Sequence, residues 1–421
     1  MSYNCIRTIA LATVFGALSA SVATAGPVCK SDVRILAQPR DALTMLEEQK
    51  ADFKTLSGVD FEIDYLNEGD RRAKSQADAS TTGRYNVYYV DEANLALFAS
   101  SGWLVPLLDH YPAEFDFDDF DDGRKTTATY DGKIWFAPIQ GGGDIMVYRK
   151  DLLEAAGIKP PTTLDELRAA VPKLTDPAKG VYGIALRGKR GSGDNVWRWM
   201  PYFKAEGGQW FDNGKPAFDS QAAVDATNIY LDLFKYSSPG TQTGSWDEAT
   251  GAFLSGQVAI IIESAPLAAI TIDPAKSSVT DKVAFLPPPS PMPGGGFAHG
   301  FAIGAKGNPD KEARDCAGLF VAWATSKEVE MKRLEAGDVG EVNRKSIVES
   351  ALFSEKYGTA LPEALAATAP KTAVNFWQNA HWPELGNKWG ILLEELITGQ
   401  RTDVKGALDE LDEFAKQFAS D

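Results

Sequence analysis

Two hydrophobic periods alternate along this chain. Short apolar runs, unbroken or alternating every second residue, mark strands; apolar residues three or four apart mark helices. The pattern predicts strands at 33–37, 59–66 and 85–90, with helices at 42–56 and 71–81 between them. Strands at 133–139 and 145–149 come next, then a helix from about Asp151, a long helix at 219–235 and a buried strand ending at Ser264. A strand at 297–305 and helices at 313–323 and 327–335 follow. Val404, Leu408, Leu411, Ala415 and Phe418 line one face of a closing helix. Strands alternating with helices predict an α/β architecture with largely parallel sheets.

One stretch resists the pattern. "FAPIQGGGDIMVYRKDLLEAAG" joins two strand runs through Gly141, Gly142 and Gly143. Glycine weakens a strand, because it loses the most backbone entropy and packs no side chain. The triplet is either a plain loop or a place where something comes close to the backbone.

The first 25 residues stand apart. Arg7, an apolar stretch from Ile9 to Leu18, and Ala23-Thr24-Ala25 have the layout of an export signal, with cleavage expected after Ala25. Gly26-Pro27-Val28 ahead of Cys29 lacks the leucine and small residues of a lipid-anchor site, so a protein free in the periplasm is expected. No other run approaches the roughly 20 apolar residues of a membrane helix. The 58 acidic residues against 42 basic ones give a charge of −16. Without a basic stripe to neutralise phosphates, nucleic acid is not an expected partner. Once Cys5 leaves with the signal, Cys29 and Cys316 remain as one possible disulfide, two inert thiols being the alternative. His110, His299 and His381 are scattered, so neither a metal nor a cofactor is expected.

Candidate chemistry gathers at strand ends and in loops. Asp91 and Glu92 follow the apolar strand 85–90, at the carboxyl end where α/β sheets collect ligands. A plain helix cap is the other reading of Asp91. Glu263 and Ser264 end a second buried strand. "FDFDDFDDG" resembles a calcium loop but puts Phe120 where a ligand belongs, so it reads as a solvated acidic loop. Among the ten tryptophans, Trp103, Trp135 and Trp323 fall in strand or helix patterns and read as core. Trp197, Trp210 and Trp382 fall at helix starts or loops, where an indole plane can take the apolar face of a sugar.

"SGWLVPL", "YDGKIWFAPIQ" with "MVYRKDLLEAAGIKPPTTLDEL", "FLSGQVAII" and "DCAGLFVAWATSKEVEMKRLEAGDVGEVNRKS" occur in that order. Together they resemble the extracellular solute-binding proteins of ABC sugar importers, the family that includes maltose-binding protein, over most of the chain. The resemblance implies a two-lobed periplasmic binding protein fold of type II, with a cleft between lobes. It implies crossings near 138–144, 296–300 and 350, an N-terminal lobe of 26–140 plus 300–350, and a C-terminal lobe of 141–299 plus 351–421. Ligand contacts are implied at Gln38 and Arg40, at Asn195 and Trp197, at Glu263 and Ser264, at Trp382, and by position at His299 and Arg344. Gln140, Gly141 and Gly142 would then lie on the cleft floor, with ligand against glycine backbone. Gly142 stands where maltose-binding protein carries a carboxylate, so maltodextrin specificity is not implied.

The function this implies is capture of a small neutral sugar, sugar alcohol or glycoside by a monomer whose lobes close on it. Delivery would be to a membrane permease with a separate ATPase, since this chain has no Walker A motif. Two alternatives stay open. A polyamine-binding protein would need several carboxylates converging on the cleft. A secreted carbohydrate-active enzyme would need two carboxylates flanking one bond; Asp91 and Glu263 offer such a pair, but no reaction motif accompanies them. Mass spectrometry of exported material is expected to find a chain beginning at Gly26; lipid on Cys29 or retention of residues 1–25 would contradict this.

Overall fold

Strands form where the short apolar runs lie: β1 (Val33–Ala37), β2 (Phe61–Tyr65), β3 (Val87–Asp91), β4 (Phe136–Gly142) and β5 (Asp144–Arg149). After them come β6 (Tyr182–Ala185), β7 (Val258–Ser264), β8 (Val283–Leu286) and β9 (Phe297–Ile303). This computed structural model describes residues 29–191, 193–336 and 342–419, so the export signal read at 1–25 lies outside the described residues. Five strands make one sheet in the order β2-β1-β3-β9-β4, and four make another, β8-β5-β7-β6.

The sheets are mixed, which corrects the expectation of largely parallel pairing. β1 runs parallel to β2 and β3, and β6 parallel to β7. β9 runs antiparallel to β3 and β4, and β5 antiparallel to β7 and β8. The chain leaves the first sheet by β4, enters the second by β5 and returns by β9. That return strand opposes both of its neighbours.

Each sheet is packed on both faces, because successive side chains point to opposite sides. Ile35, Val87, Tyr89 and Phe301 pack with Phe53, Phe320 and Trp323 on one face of the first sheet. Leu36, Tyr88 and Ala302 pack with Phe98 and Trp135 on the other. In the second sheet Ile184, Ile260 and Ile262 meet Trp199, Tyr230 and Trp389, while Ile145, Val147 and Ile261 meet Phe253 and Leu361. The predicted helix at 42–56 is two helices, Asp41–Glu48 and Lys50–Ser57, because Gln49 leaves helical torsions at φ −101° and ψ 15°.

The glycine triplet marks the first crossing. β4 runs on through Gly141 and Gly142, and the break falls at Gly143. A Cβ on Gly141 would stand 2.9 Å from the Phe297 carbonyl oxygen, and one on Gly143 2.8 Å from Thr372 Oγ1. Gly142 has φ +152°, and a Cβ there would stand 3.2 Å from that of Ala265. A close approach at each glycine is thus made by other parts of this chain, and Gly142 also lines a cavity. The boundary drawn at 299/300 falls inside β9, whose Phe297 already pairs with Gly142. A cavity of about 190 Å³ lies among the crossings, between Gly143, Gly296 and Asn343 and the apolar Ala265, Phe353 and Leu361.

Cys29 is bonded to Cys316, with Cα atoms 5.2 Å apart at a sequence separation of 287. The bond ties the segment before β1 to the helix Lys311–Ala324. Replacing both cysteines with serine is expected to cost about 2–4 kcal/mol by freeing the unfolded chain. Denaturant melts of the oxidised protein and the variant measure this; equal midpoints would contradict it.

The interlobe cleft as candidate functional site

The polar row begins with strand register. His299 on β9 lies opposite Asp91 on one side and Gln140 on the other. Directly paired residues share a face of the sheet, so Asp91, His299 and Gln140 form one row across three strands. Glu92 adjoins it. His299 Nε2 lies 3.7 Å from both Asp91 Oδ1 and Glu92 Oε2, and its Nδ1 is buried with no partner. Tyr89 donates its hydroxyl to Gln140 Oε1 at 2.8 Å, and the Ala298 amide donates to Glu92 Oε2 at 3.1 Å.

Asp91 is 1 % exposed and fully engaged. Arg71 Nη2 donates to Oδ1 at 2.5 Å, and Oδ2 accepts from Arg72 Nε at 2.5 Å and Asn94 Nδ2 at 3.0 Å. Burial alone would raise its pKa, but the two guanidiniums outweigh burial and hold Asp91 well below the usual carboxylate range. The cap reading is corrected: Asp91 sits at the cap position of the helix Glu92–Ser100, yet its side chain makes no cap bond. Glu92 behaves in the opposite way. Burial, and then the negative charge of Asp91, push its carboxyl up to about 8. Burial brings His299 down to about 4, against the pull of Asp91 and Glu68. At neutral pH the row therefore holds an arginine-neutralised Asp91, a protonated Glu92 and an uncharged His299. Gln38 accepts from Arg71 Nε at 3.2 Å, and the charge of Arg40 reaches His299.

The second lobe repeats the arrangement. Glu263 ends β7 and takes Arg187 Nε and Nη2, each at 2.6 Å, while the Ser264 amide donates to its Oε2 at 2.9 Å. Burial works against ionisation, but Arg187 and then Arg198 keep its pKa low. Arg198 also donates to Asp144 Oδ1 at 2.9 Å, and the Gly295 amide donates to Asp144 Oδ2 at 3.1 Å, linking two crossings. Trp197 keeps 9 % exposure and leans on Phe376, with ring centres 5.8 Å apart and planes 32° apart. Ala93 and Phe297 from the first lobe belong to the same apolar group. Phe297 lies 5.6 Å from the His299 ring, so this aromatic surface adjoins the polar row.

Gln38, Arg40, Asp91, Glu92, Gln140 and His299 thus come together, with Trp197, Glu263 and Ser264 across the cleft. Four other candidates do not join them. Trp382 is 0 % exposed, its ring 4.9 Å from that of Trp210, whose indole donates to the Asn375 carbonyl at 2.7 Å. Both are core: Trp382 turns inward from the start of its helix, and Trp210 from the loop before Phe211. Asn195 is fully buried and donates to the carbonyls of Gly188 and Gly390 at 3.2 and 2.9 Å. Arg344 is spent on the carbonyls of Thr325, Asp116 and Phe115. Among the described residues no cluster of His, Cys, Asp and Glu is placed to hold a metal. The sequence reading missed Arg71, Arg72, Arg187, Arg198 and Phe376. Only Arg187 had a signal, standing just past the carboxyl end of β6.

Comparison with known proteins points one way. The chain is 29 % identical to a mannitol-binding protein of Pseudomonas aeruginosa, over 71 % of this chain and 69 % of that one. It superposes on an ABC transporter solute-binding protein from Agrobacterium radiobacter in complex with ribitol, with TM-score 0.83, 28 % identity, and 93 % and 99 % of the two chains covered. A solute-binding protein from Agrobacterium vitis with bound D-mannitol gives TM-score 0.81 and 26 % identity, over 92 % and 98 %. These neighbours are two-lobed binding proteins, not enzymes. The profile of the bacterial extracellular solute-binding protein family matches residues 38–331, and this chain belongs to that family.

Proposed function

We propose that this protein captures a small acyclic polyol in the interlobe cleft and hands it to an ABC permease, as an exported monomer cleaved after Ala25. The observation that carries the reading is the row of Glu92, His299 and Gln140 beside the Trp197–Phe376–Phe297 surface. A polyol needs both donors and acceptors for its hydroxyls and an apolar surface for its C–H edge. Protonated Glu92 can donate, the free nitrogen of His299 can exchange a hydrogen bond, and the aromatics take the carbon chain. The mannitol and ribitol named for its relatives are ligands of this kind.

Charge argues against polyamines. Asp91 is neutralised by Arg71 and Arg72, Glu263 by Arg187 and Arg198, and Glu92 keeps its proton at pH 7. A dication entering this cleft would give up its hydration for little net attraction. The same pairing argues against glycoside hydrolysis, since neither Asp91 nor Glu263 has an oxygen free of arginine.

In a thermal-shift panel, mannitol or ribitol at about 100 times Kd should add about 2.7 kcal/mol of stability. Putrescine and spermidine should add none; the reverse result would overturn the polyol reading. Trp197→Ala should weaken binding by about 5- to 150-fold in calorimetry, as loss of one buried aromatic contact. Trp382→Ala should instead lower stability by about 3–5 kcal/mol, as a core deletion.

Glu92 sets a pH dependence whose sign follows from its raised pKa. The folded chain keeps this proton up to about pH 8, whereas the unfolded carboxyl releases it near 4.5. The stability this group contributes therefore falls as pH rises through that window. His299 runs the other way, losing stability as pH falls below 6.5 toward 4, so it is silent above neutrality. Melting between about pH 6.5 and 8, within that window and above the range of His299, should show a decline that Glu92→Gln removes; an unchanged slope in the variant would contradict the assignment.

A further inference from the structure

Asp91 and Glu263 end equivalent strands in opposite lobes, and each fixes an arginine that reaches the same point. On the first lobe Arg72 is held by Asp91 at 2.5 Å and by Glu68 at 2.6 Å. On the second, Arg187 is held by Glu263 through two bonds, and its remaining Nη1 donates to the Gly193 carbonyl at 3.2 Å. A Cβ built on Gly193 would stand 3.4 Å from both Nη1 and Nη2 of Arg72. Asp194 beside it is pushed up by burial, and the charges of Arg187 and Arg72 both act against that. One loop of the second lobe is thus presented by Arg187 and met by Arg72.

We infer that Gly193 is the closure contact of this protein, a positioning residue at which Arg187 of one lobe presents backbone to Arg72 of the other. Both arginines are anchored within their own lobes, so the contact needs no side-chain rearrangement when the lobes come together. A side chain at 193 meets the Arg72 guanidinium first and so acts through the lobe contact. Alanine would only touch the Arg72 guanidinium. The two further carbons of valine would fill the space that the guanidinium needs and hold the cleft open.

This inference borrows from the polyol reading only its probe, D-mannitol. Gly193→Val should raise the dissociation rate and weaken mannitol binding by roughly tenfold or more. The melting temperature without ligand should stay at the wild-type value, and X-ray scattering of the saturated variant should keep the larger radius of the unliganded form. Gly193→Ala should stay within about threefold of wild type, which a general folding role of the loop would not produce. Wild-type affinity and full compaction in Gly193→Val would overturn the inference.

A second arm needs no ligand. Arg72→Cys/Gly193→Cys protein, with the Cys29–Cys316 bond intact, is treated with a short bifunctional thiol reagent. Cross-linking across the lobes is expected without mannitol, and its absence would overturn the inference. If the cross-link forms but mannitol does not bind the wild-type protein, the polyol reading fails and the closure contact stands.

Discussion

The cleft is organised by buried carboxylates that arginines neutralise. A charge taken out of water costs several kcal/mol unless another charge and good hydrogen bonds meet it. Asp91 and Glu263 are each 1 % exposed, and each directly follows the apolar run of its strand. Neither could remain ionised there alone. Arg71 and Arg72 from the helix Glu68–Ser80 answer Asp91, while Arg187 and Arg198 answer Glu263. The rest follows from this constraint. Burial, and then the fixed negative charge of Asp91 beside it, keep Glu92 protonated. Fixing the arginines gives each lobe a rigid cation at the cleft edge.

That arrangement also explains why an acidic chain can present a cleft suited to a neutral ligand. The overall charge of −16 belongs to the whole chain. Within the cleft the acids are consumed by arginines or hold their protons. What remains for a ligand is a set of dipoles and aromatic faces rather than a field. The hinge works by separate means. Gly141, Gly142 and Gly143 let the first crossing pack against Phe297, Ala265 and Thr372, and Asp144 joins it to the second crossing through the Gly295 amide.

Much of this was legible in the chain. The all-apolar strand before Asp91 placed that residue at a strand end, and strand-end acids are readable without a structure. The motif order gave the two-lobed family. What the chain could not show was which groups meet from distant elements. Arg72 and Gly193 are far apart in sequence, and nothing local to either marks their contact. Trp197 and Trp382 both open helices and looked alike; only packing separates the one beside the cleft from the one in the core. The glycine triplet announced a close approach to the backbone, but not that Phe297, Ala265 and Thr372 make one. The parallel-sheet expectation failed because local pattern carries no strand direction, and direction is set by where the chain crosses.

In the proposed polyol complex, ligand meets Glu92, His299 and Trp197 while Asp91 and Glu263 stay locked to their arginines. A crystal structure with D-mannitol or ribitol bound tests it most directly. Ligand hydroxyls are expected within hydrogen-bond distance of Glu92 and His299, carbon atoms against the Trp197 ring, and the Asp91–Arg72 and Glu263–Arg187 pairs unchanged. A ligand whose hydroxyls displace Arg72 from Asp91, or which lies away from Glu92 and Trp197, would contradict it.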